Sequence, residues 1–250
     1  MKFILKWIKT FGSYLLLMKR AIGRPESWKM FGRQFMRDIY QLGVNSIPIV
    51  LIISFFIGAV ICIQMKLNIE SPWMPKIVVG YATREIMLLE FSSSIMCLIL
   101  AGKVGSNITS EIGTMRVTQQ IDALEIMGVN SANFLIFPKI SALVAFIPIL
   151  VIFSIVSGIG GSYSICYVTN IMTPEDLTVG LQYCFLPWYI GCSIIKALFF
   201  ASIIASVASF YGYRVDGGSI EVGKASTNAV VSCSVLILFA DIILTQLLMQ

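Results

Sequence analysis

Residues 46–65 read SIPIVLIISFFIGAVICIQM, an apolar run that carries no charged side chain. Twenty residues of α-helix, at about 1.5 Å per residue, are about 30 Å long, which matches the hydrocarbon thickness of a bilayer. Pro48 lies near the start of the run, where a helix has no partner for the missing amide proton. The run therefore predicts a helix that crosses a membrane.

The composition of the whole chain also indicates a lipid environment. Hydrophobic residues make up 57% of the 250 residues, charged residues make up 12%, and the mean hydropathy is +0.87. A soluble domain carries about 25% charged residues, so this chain has too few charges to cover a water-facing surface. Within a bilayer only helices and closed barrels satisfy the backbone, and the apolar runs lack the alternation of barrel strands. We expect an all-α integral membrane protein.

Five apolar segments are long enough to span a bilayer. We predict spans at residues 46–66, 81–102, 136–167, 187–211 and 228–249, within one domain that covers residues 1–250. The third segment is the longest, and Pro138 and Pro148 are its expected kink points. Small residues at four-residue spacing, such as Ala201 and Ala205, favour close packing between the helices.

The cations are unevenly distributed. Nine of the eighteen Lys and Arg residues precede residue 40, in a region at residues 1–40 that we predict to be interfacial. Cations mixed with apolar residues up to about residue 22 predict an amphipathic helix there, which GRPE, residues 23–26, ends. Predicted loops on one side of the membrane hold Lys103, Arg116, Lys139, Arg214 and Lys224, whereas residues 168–186 on the other side hold no cation. By the positive-inside rule the N-terminus is cytoplasmic, and five spans place the C-terminus on the opposite side. The same rule accounts for the basic N-terminal flank, so nucleic-acid binding is not expected.

Side chains that support catalysis or metal binding are scarce. The chain has no histidine, which removes the usual general base and the commonest metal ligand. Its six cysteines form no CxxC pair and lie mostly within apolar runs; they are Cys62, Cys97, Cys166, Cys184, Cys192 and Cys233. We expect small buried hydrophobes rather than ligands, and we expect no enzyme.

Residues 103–135 form a polar cytoplasmic segment between the second and third spans. Residues 114–127 predict one helix, because Val117, Ile121 and Leu124 form an apolar stripe and Gly128 is the expected left-handed cap. An interfacial helix that rests on the membrane fits this pattern. A helix that receives motion from a soluble partner fits it equally well.

Residues 111–128 read EIGTMRVTQQIDALEIMG, which resembles the signature of the MlaE/YrbE permease family of ABC transporters. The similarity extends over almost the whole chain. Further matching stretches are FIGAVICIQ at 56–64, AGKVGS at 101–106, the Ile194, Ile195, Lys196 run, YGYRVDGG at 211–218 and VGKAST at 222–227.

The resemblance implies a permease subunit in the bacterial inner membrane, with a periplasmic C-terminus, that moves phospholipid between the inner and outer membranes. The implied partners are a second copy of the chain, an ABC ATPase dimer, a periplasmic ring of MCE-domain proteins and a STAS-type accessory protein. ATP and magnesium belong to the ATPase, and this chain needs no cofactor. The resemblance assigns ATPase coupling to Glu111, Gly113, Met115, Arg116, Gln120, Asp122, Leu124, Glu125 and Met127.

Ionisable side chains within spans are costly and usually face a cavity or a partner. We predict that a lipid pathway is lined by Ile61, Gln64, Arg84, Glu90 and Lys196, with the two cations meeting an anionic headgroup. The family has an Arg-Glu pair where this chain has Leu89 and Glu90, so Arg84 is the candidate replacement. Mutual pairing that locks the bundle is an equal alternative.

Two other functions stay open at this point. An ion-coupled secondary transporter or channel would use Glu90, Lys196 and Asp241 as a relay, and a membrane scaffold would transport nothing. ATP binding by this chain is not expected. The stretch GSIEVGKA at 218–225 misses the phosphate-binding pattern at Ala225 and follows a predicted membrane helix instead of a strand.

Overall fold

The computed structural model describes residues 2–23, 27–69, 75–169 and 172–248, with side chains from residue 8 onward. The described part consists of helices and their connections and contains no strand, which confirms the predicted fold class. The helices are α1 (Lys2–Ala21), α2 (Trp28–Asn68), α3 (Ile77–Val117), α4 (Gln120–Ile126), α5 (Ser131–Thr169), α6 (Pro174–Gln182), α7 (Trp188–Tyr213) and α8 (Ser219–Leu248). Residues 24–26 of the predicted helix break, and residue 249 at the end of the fifth span, lie outside the described ranges.

Five of these helices, α2, α3, α5, α7 and α8, are long and apolar enough to cross a membrane. Two of them extend far beyond the predicted spans, since α2 and α3 each have 41 residues. α3 continues to Val117 because Ile108 and Ile112, one turn apart, are fully buried where α7 and α8 pack against this extension. The first half of the polar segment predicted at 103–135 is therefore a continuation of a membrane helix.

Wider π-helical turns interrupt α2 and α3. They lie at Ile39–Gly43 in α2 and at Met87–Ile95 and Ala101–Gly105 in α3. A π turn shifts the helix face by one residue and often accompanies functional positions. In α3 the longest of these turns leaves Glu90 exposed directly after the buried Leu88 and Leu89.

α2 and α5 pack backbone against backbone. A Cβ atom added at Gly58 would overlap the carbonyl group of Gly158, and one added at Gly161 would overlap the carbonyl group of Phe55. Ser54 donates a hydrogen bond to Ser154 across the same seam at 2.8 Å. Only glycine allows this approach, and lipid supplies no hydrophobic force that could replace it. The seam therefore fixes the first span against the third.

α8 is the least covered of the spanning helices. Only 11% of its most apolar window is buried inside the chain. Its exposed large apolar side chains include Val231, Val235, Leu238, Phe239, Ile242 and Leu247. α8 thus offers an apolar face to lipid or to another protein.

Five of the six cysteines are buried, as predicted. Cys184 is the exception: it is exposed in the α6–α7 connection, where its backbone has a positive φ of 47°. The prediction failed at this position because the connection follows the short helix α6 and leaves the packed bundle. Cys62 and Cys166 approach each other between α2 and α5, with 3.8 Å between their sulfur atoms.

Candidate functional site

The segment predicted as one helix over residues 114–127 is broken, so that prediction is wrong. α3 ends at Val117, Gln119 adopts a left-handed conformation with φ of 59°, and α4 begins at Gln120. The apolar stripe continues across the break, which is why helical periodicity did not reveal it. Gly128 closes α4 with φ of +80°, which confirms the predicted cap.

α4 is held to the bundle on one side. Ile121 is fully buried, and Leu124 packs against the main core. Arg116 at the end of α3 donates to the Asp122 carboxylate at 2.5 Å, which bridges the break. These contacts fix the angle between the two helices, and they involve three of the predicted coupling residues.

The opposite side of α4 projects from the bundle. Met127 has 68% of its surface exposed and Ile126 has 87%, while Gln120 and Glu125 are also exposed. Sequence reasoning missed Ile126 because it lies off the stripe of Val117, Ile121 and Leu124. The adjacent pair of large apolar residues at a helix end was the available signal, since an exposed apolar patch marks a contact site.

Glu125 ties α4 to three other helices. Its carboxylate accepts hydrogen bonds from Ser131 of α5 at 2.9 Å and Tyr213 of α7 at 3.0 Å, and it lies 3.7 Å from Arg20 of α1. These hydrogen bonds stabilise the charged form and therefore lower the pKa of Glu125 below its usual value. The hydrogen bond from Ser131 has the largest effect. Glu125 therefore connects α4 to α1, α5 and α7.

Glu111 belongs to a buried ion cluster that the sequence did not reveal. Its carboxylate lies 2.7 Å from Lys139 of α5, which in turn lies 3.1 Å from Asp38 of α2. Lys139 is 1% exposed and Asp38 is 2% exposed. Removal of Lys139 would leave the buried Asp38 carboxylate without a cation, so the cluster holds three helices together at the α4 end of the bundle.

Of the other predicted coupling residues, Gly113 is buried and Met115 is partly buried. Gly113 contacts the region where α7 leads into α8, because a Cβ atom there would lie 3.1 Å from Val222 and 3.2 Å from Val215. Met115 packs against the main core. The predicted coupling residues thus include side chains that contact the bundle and others, such as Gln120 and Met127, that are exposed.

A second ion cluster lies within the spans. Lys196 of α7 is 2% exposed and lies 3.0 Å from Asp241 of α8 and 3.8 Å from Glu90 of α3. It also donates to the Leu89 carbonyl at 3.2 Å, while Ser94 donates to Asp241 at 2.7 Å. The three members of the predicted relay therefore meet, in an arrangement that fits mutual pairing of α3, α7 and α8.

Arg84 has separate partners. It is 2% exposed, and it donates to the carbonyls of Leu181 at 2.7 Å and Tyr183 at 2.8 Å and to Glu85 at 2.6 Å. This geometry anchors the end of α6 to α3. Ile61 is half-buried and Gln64 is exposed on α2. Throughout the described ranges, no group of three or more Cys, Asp or Glu side chains is placed to hold a metal ion.

Comparison with known proteins agrees with this architecture. The sequence model of the family described as Permease MlaE matches residues 35–247. The probable ABC transporter permease protein of Rickettsia typhi is 32% identical over 255 residues, covering 100% of this chain and 96% of its own. The probable ABC transporter permease protein ycf63 of Pyropia yezoensis is 32% identical, covering 98% and 93%. The probable ABC transporter permease protein slr1045 of Synechocystis is 28% identical, covering 87% of this chain and 82% of its own.

Proposed function

The chain belongs to the MlaE permease family and is a permease subunit of an ABC transporter, and from that premise we propose that it moves phospholipid between the inner and outer membranes. A separate ABC ATPase dimer supplies the energy, and a periplasmic ring of MCE-domain proteins passes the lipid on. A STAS-type protein is the proposed accessory subunit. The chain itself is a transport subunit and not an enzyme.

The geometry of α4 carries this proposal. A motor outside the membrane needs a rigid protrusion that it can push, and α4 has an exposed apolar tip at Ile126 and Met127 and a buried anchor at Ile121. The Arg116–Asp122 ion pair joins it to α3, which continues through the π-helical turn at Ala101–Gly105 into the membrane. Movement of α4 would therefore be passed directly to a span.

The proposed cargo route lies between two copies of the chain. Family membership supports the homodimer, and the uncovered apolar face of α8 is compatible with a lipid-filled boundary. Ile61, Gln64, Arg84, Glu90 and Lys196 remain the proposed pathway residues. Lys196→Ala should reduce photocrosslinking of phospholipid without lowering the abundance of the protein in membranes. Equal loss of both would assign Lys196 to helix locking only.

The proposed orientation places α4 in the cytoplasm of a bacterial inner membrane and the C-terminus in the periplasm. The cation distribution supports it, because Arg214 and Lys224 belong to a predicted loop on the side of α4, whereas the predicted loop at residues 168–186 on the other side holds no cation. An ATPase can reach α4 only in this orientation. A cysteine introduced at Thr118, which is exposed, should react with membrane-impermeant maleimide only after the cells are opened, provided that the exposed Cys184 is first replaced by serine.

Lipid transfer by the reconstituted complex tests the function. We expect ATP-dependent phospholipid transfer from proteoliposomes that contain this chain, its ATPase and the MCE protein. Ile126→Asp/Met127→Asp should weaken ATPase binding at least about tenfold, as for a buried interface anchor, and abolish transfer. Ile22→Asp is the matched control, because Ile22 is 64% exposed on the same side of the bundle. Full transfer without the ATPase would favour an ion-coupled mechanism and overturn the proposal.

A further inference from the structure

A groove at the α4 end of the bundle adjoins the proposed ATPase contact, and five predicted coupling residues form part of its lining: Glu111, Met115, Gln120, Leu124 and Met127. It lies between the first part of α2 and the segment from α4 into α5, and it consists of two adjoining cavities of about 400 and 730 Å³. Met30, Gln34 and Phe134 line both cavities, so the two are continuous. Cavities of about 300–1,000 Å³ are the usual size for small-molecule ligands.

The smaller cavity is apolar. Phe31, Leu124, Met127 and Pro138 contribute to its wall, and Phe31 packs on Phe137 of α5 with 5.2 Å between ring centroids. Its walls come from α2 on one side and from α4 and α5 on the other. Such a slot accepts a hydrocarbon chain and offers little to a charged group.

The larger cavity is cationic. Lys29, Arg33 and Arg37 line it, and their four-residue spacing places them on one face of α2. All three are exposed, and within the described ranges none of them forms an ion pair with a carboxylate. The carboxylate that also lines the cavity, Glu111, is already paired with Lys139 at 2.7 Å. The cavity therefore carries an excess of positive charge.

The side chains around this groove indicate a position at the membrane interface. α2 continues from the cationic turn through the π-helical turn at Ile39–Gly43 into the first span, and Trp28, Met36 and Tyr40 are exposed around the cationic turn. Aromatic and apolar side chains interleaved with cations are typical of helices placed among lipid headgroups. The cations thus meet the headgroups of the leaflet at the α4 end.

We infer that the groove binds an anionic phospholipid of that leaflet, with the phosphate at Lys29, Arg33 and Arg37 and part of an acyl chain in the apolar cavity. An acidic protein surface would use the cations but would leave the apolar cavity unfilled. Because the ligand touches both α2 and α4, it stabilises one position of α4 against the bundle. The site is regulatory and independent of which cargo is transported.

Photocrosslinking of the full-length protein tests this site. The probe is phosphatidylglycerol with a photoreactive acyl chain, diluted into nanodiscs of phosphatidylcholine. We expect crosslinks in peptides that contain Phe31 and Phe134. Arg33→Gln/Arg37→Gln should lower their yield at least about tenfold, since each cation near a membrane surface contributes appreciably to the binding of anionic lipid. Arg33→Lys/Arg37→Lys should retain most of the yield.

The control variant removes the same charge elsewhere. Lys9→Gln/Lys19→Gln changes two exposed cations of α1 and should leave the crosslinks unchanged. Equal loss in both double variants would mean general surface attraction and would overturn the proposal. Full competition by inorganic phosphate would also overturn it, in favour of a soluble anion. A third result would overturn the proposal: Arg33→Gln/Arg37→Gln leaves the crosslinks unchanged but loses ATPase binding in detergent. The two cations would then belong to a contact with a protein.

Discussion

Two buried lysines, Lys139 and Lys196, each lie between two carboxylates, yet their surroundings differ. The carboxylates are Asp38 and Glu111 around Lys139, and Asp241 and Glu90 around Lys196. Around Lys139 the two carboxylate side chains are 3% and 33% exposed, whereas around Lys196 they are 14% and 48% exposed. The cluster at the α4 end is therefore the drier and tighter of the two.

This difference separates two kinds of ion cluster. Charges without access to water depend entirely on each other, so a dry cluster locks its helices in one arrangement. A cluster with a half-exposed carboxylate can exchange a protein partner for water or for a ligand. We therefore assign the Lys139 cluster to rigid support of α4, whereas the Lys196 cluster remains able to change partners.

Loss of Lys139 should have the largest effect on stability. Lys139→Met leaves the Asp38 carboxylate buried without a cation, and we expect a loss of about 3–5 kcal/mol in the free energy of unfolding. Denaturant titration of the purified protein in mild detergent measures it. Asp38→Asn/Lys139→Met is the control and should recover much of the loss, because the buried charge is gone. A double variant as unstable as the single one would contradict the assignment.

Loss of Lys196 should cost less. Lys196→Met leaves Asp241 with its hydrogen bond from Ser94 and leaves the half-exposed Glu90 carboxylate in contact with solvent. We therefore expect a loss of about 1–3 kcal/mol in the free energy of unfolding by the same titration. The ratio of the two losses is the quantity of interest. If Lys196→Met proves as costly as Lys139→Met, the half-exposed cluster is also a lock.

Neutral amides at the outer carboxylates sharpen the comparison further. Glu111→Gln should cost about 1 kcal/mol, because its contact with Lys139 at 2.7 Å is only partly replaced by an amide. Glu90→Gln should cost less than about 0.5 kcal/mol, because its ion pair at 3.8 Å is long and half-exposed. A larger effect at Glu90 would reverse the order of the two clusters.

The smallest effect concerns Glu125, which holds α4 by an exposed contact. Its pKa is lowered in the folded protein, so its stabilising contribution is complete above the ordinary value of 4.5 and is lost as the pH falls through the lowered pKa. The free energy of unfolding, measured between neutral and strongly acid pH, should show this acid loss. Ser131→Ala removes the main cause of the shift and should reduce it. An identical acid profile would contradict the role of Ser131.

The sequence predicted the helical class and the segment that carries α4, because both depend on local composition. Apolar runs of membrane length leave few alternatives, and the stripe of Ile121 and Leu124 identifies the side of α4 that faces the bundle. The left-handed position of Gly128 was also predictable, since glycine adopts it without strain.

The break at Gln119 was not predictable in the same way. Glutamine has no preference for a positive φ, so the change of direction results from contacts between Arg116 and Asp122 and from burial of Ile121. Such contacts form only after the helices pack. The periodicity of the stripe is the same with or without the break.

Lys139 and Lys196 show the same limit of prediction from the sequence. Lys196 was selected because a cation within an apolar run is conspicuous. Lys139 was treated as a loop charge, since it follows Pro138 beside a polar segment. Its burial depends on Asp38, which is 101 residues away in the chain, and no local pattern links the two.

The glycine seam between α2 and α5 limits how the transporter can deform. With the carbonyl groups of Gly158 and Phe55 filling the space of the missing side chains, neither helix can slide or rotate past the other without steric overlap. The first and third spans must therefore move together as one rigid unit. Any opening that admits cargo has to occur elsewhere, and the sparsely covered α8 is where the bundle can part with the fewest contacts broken.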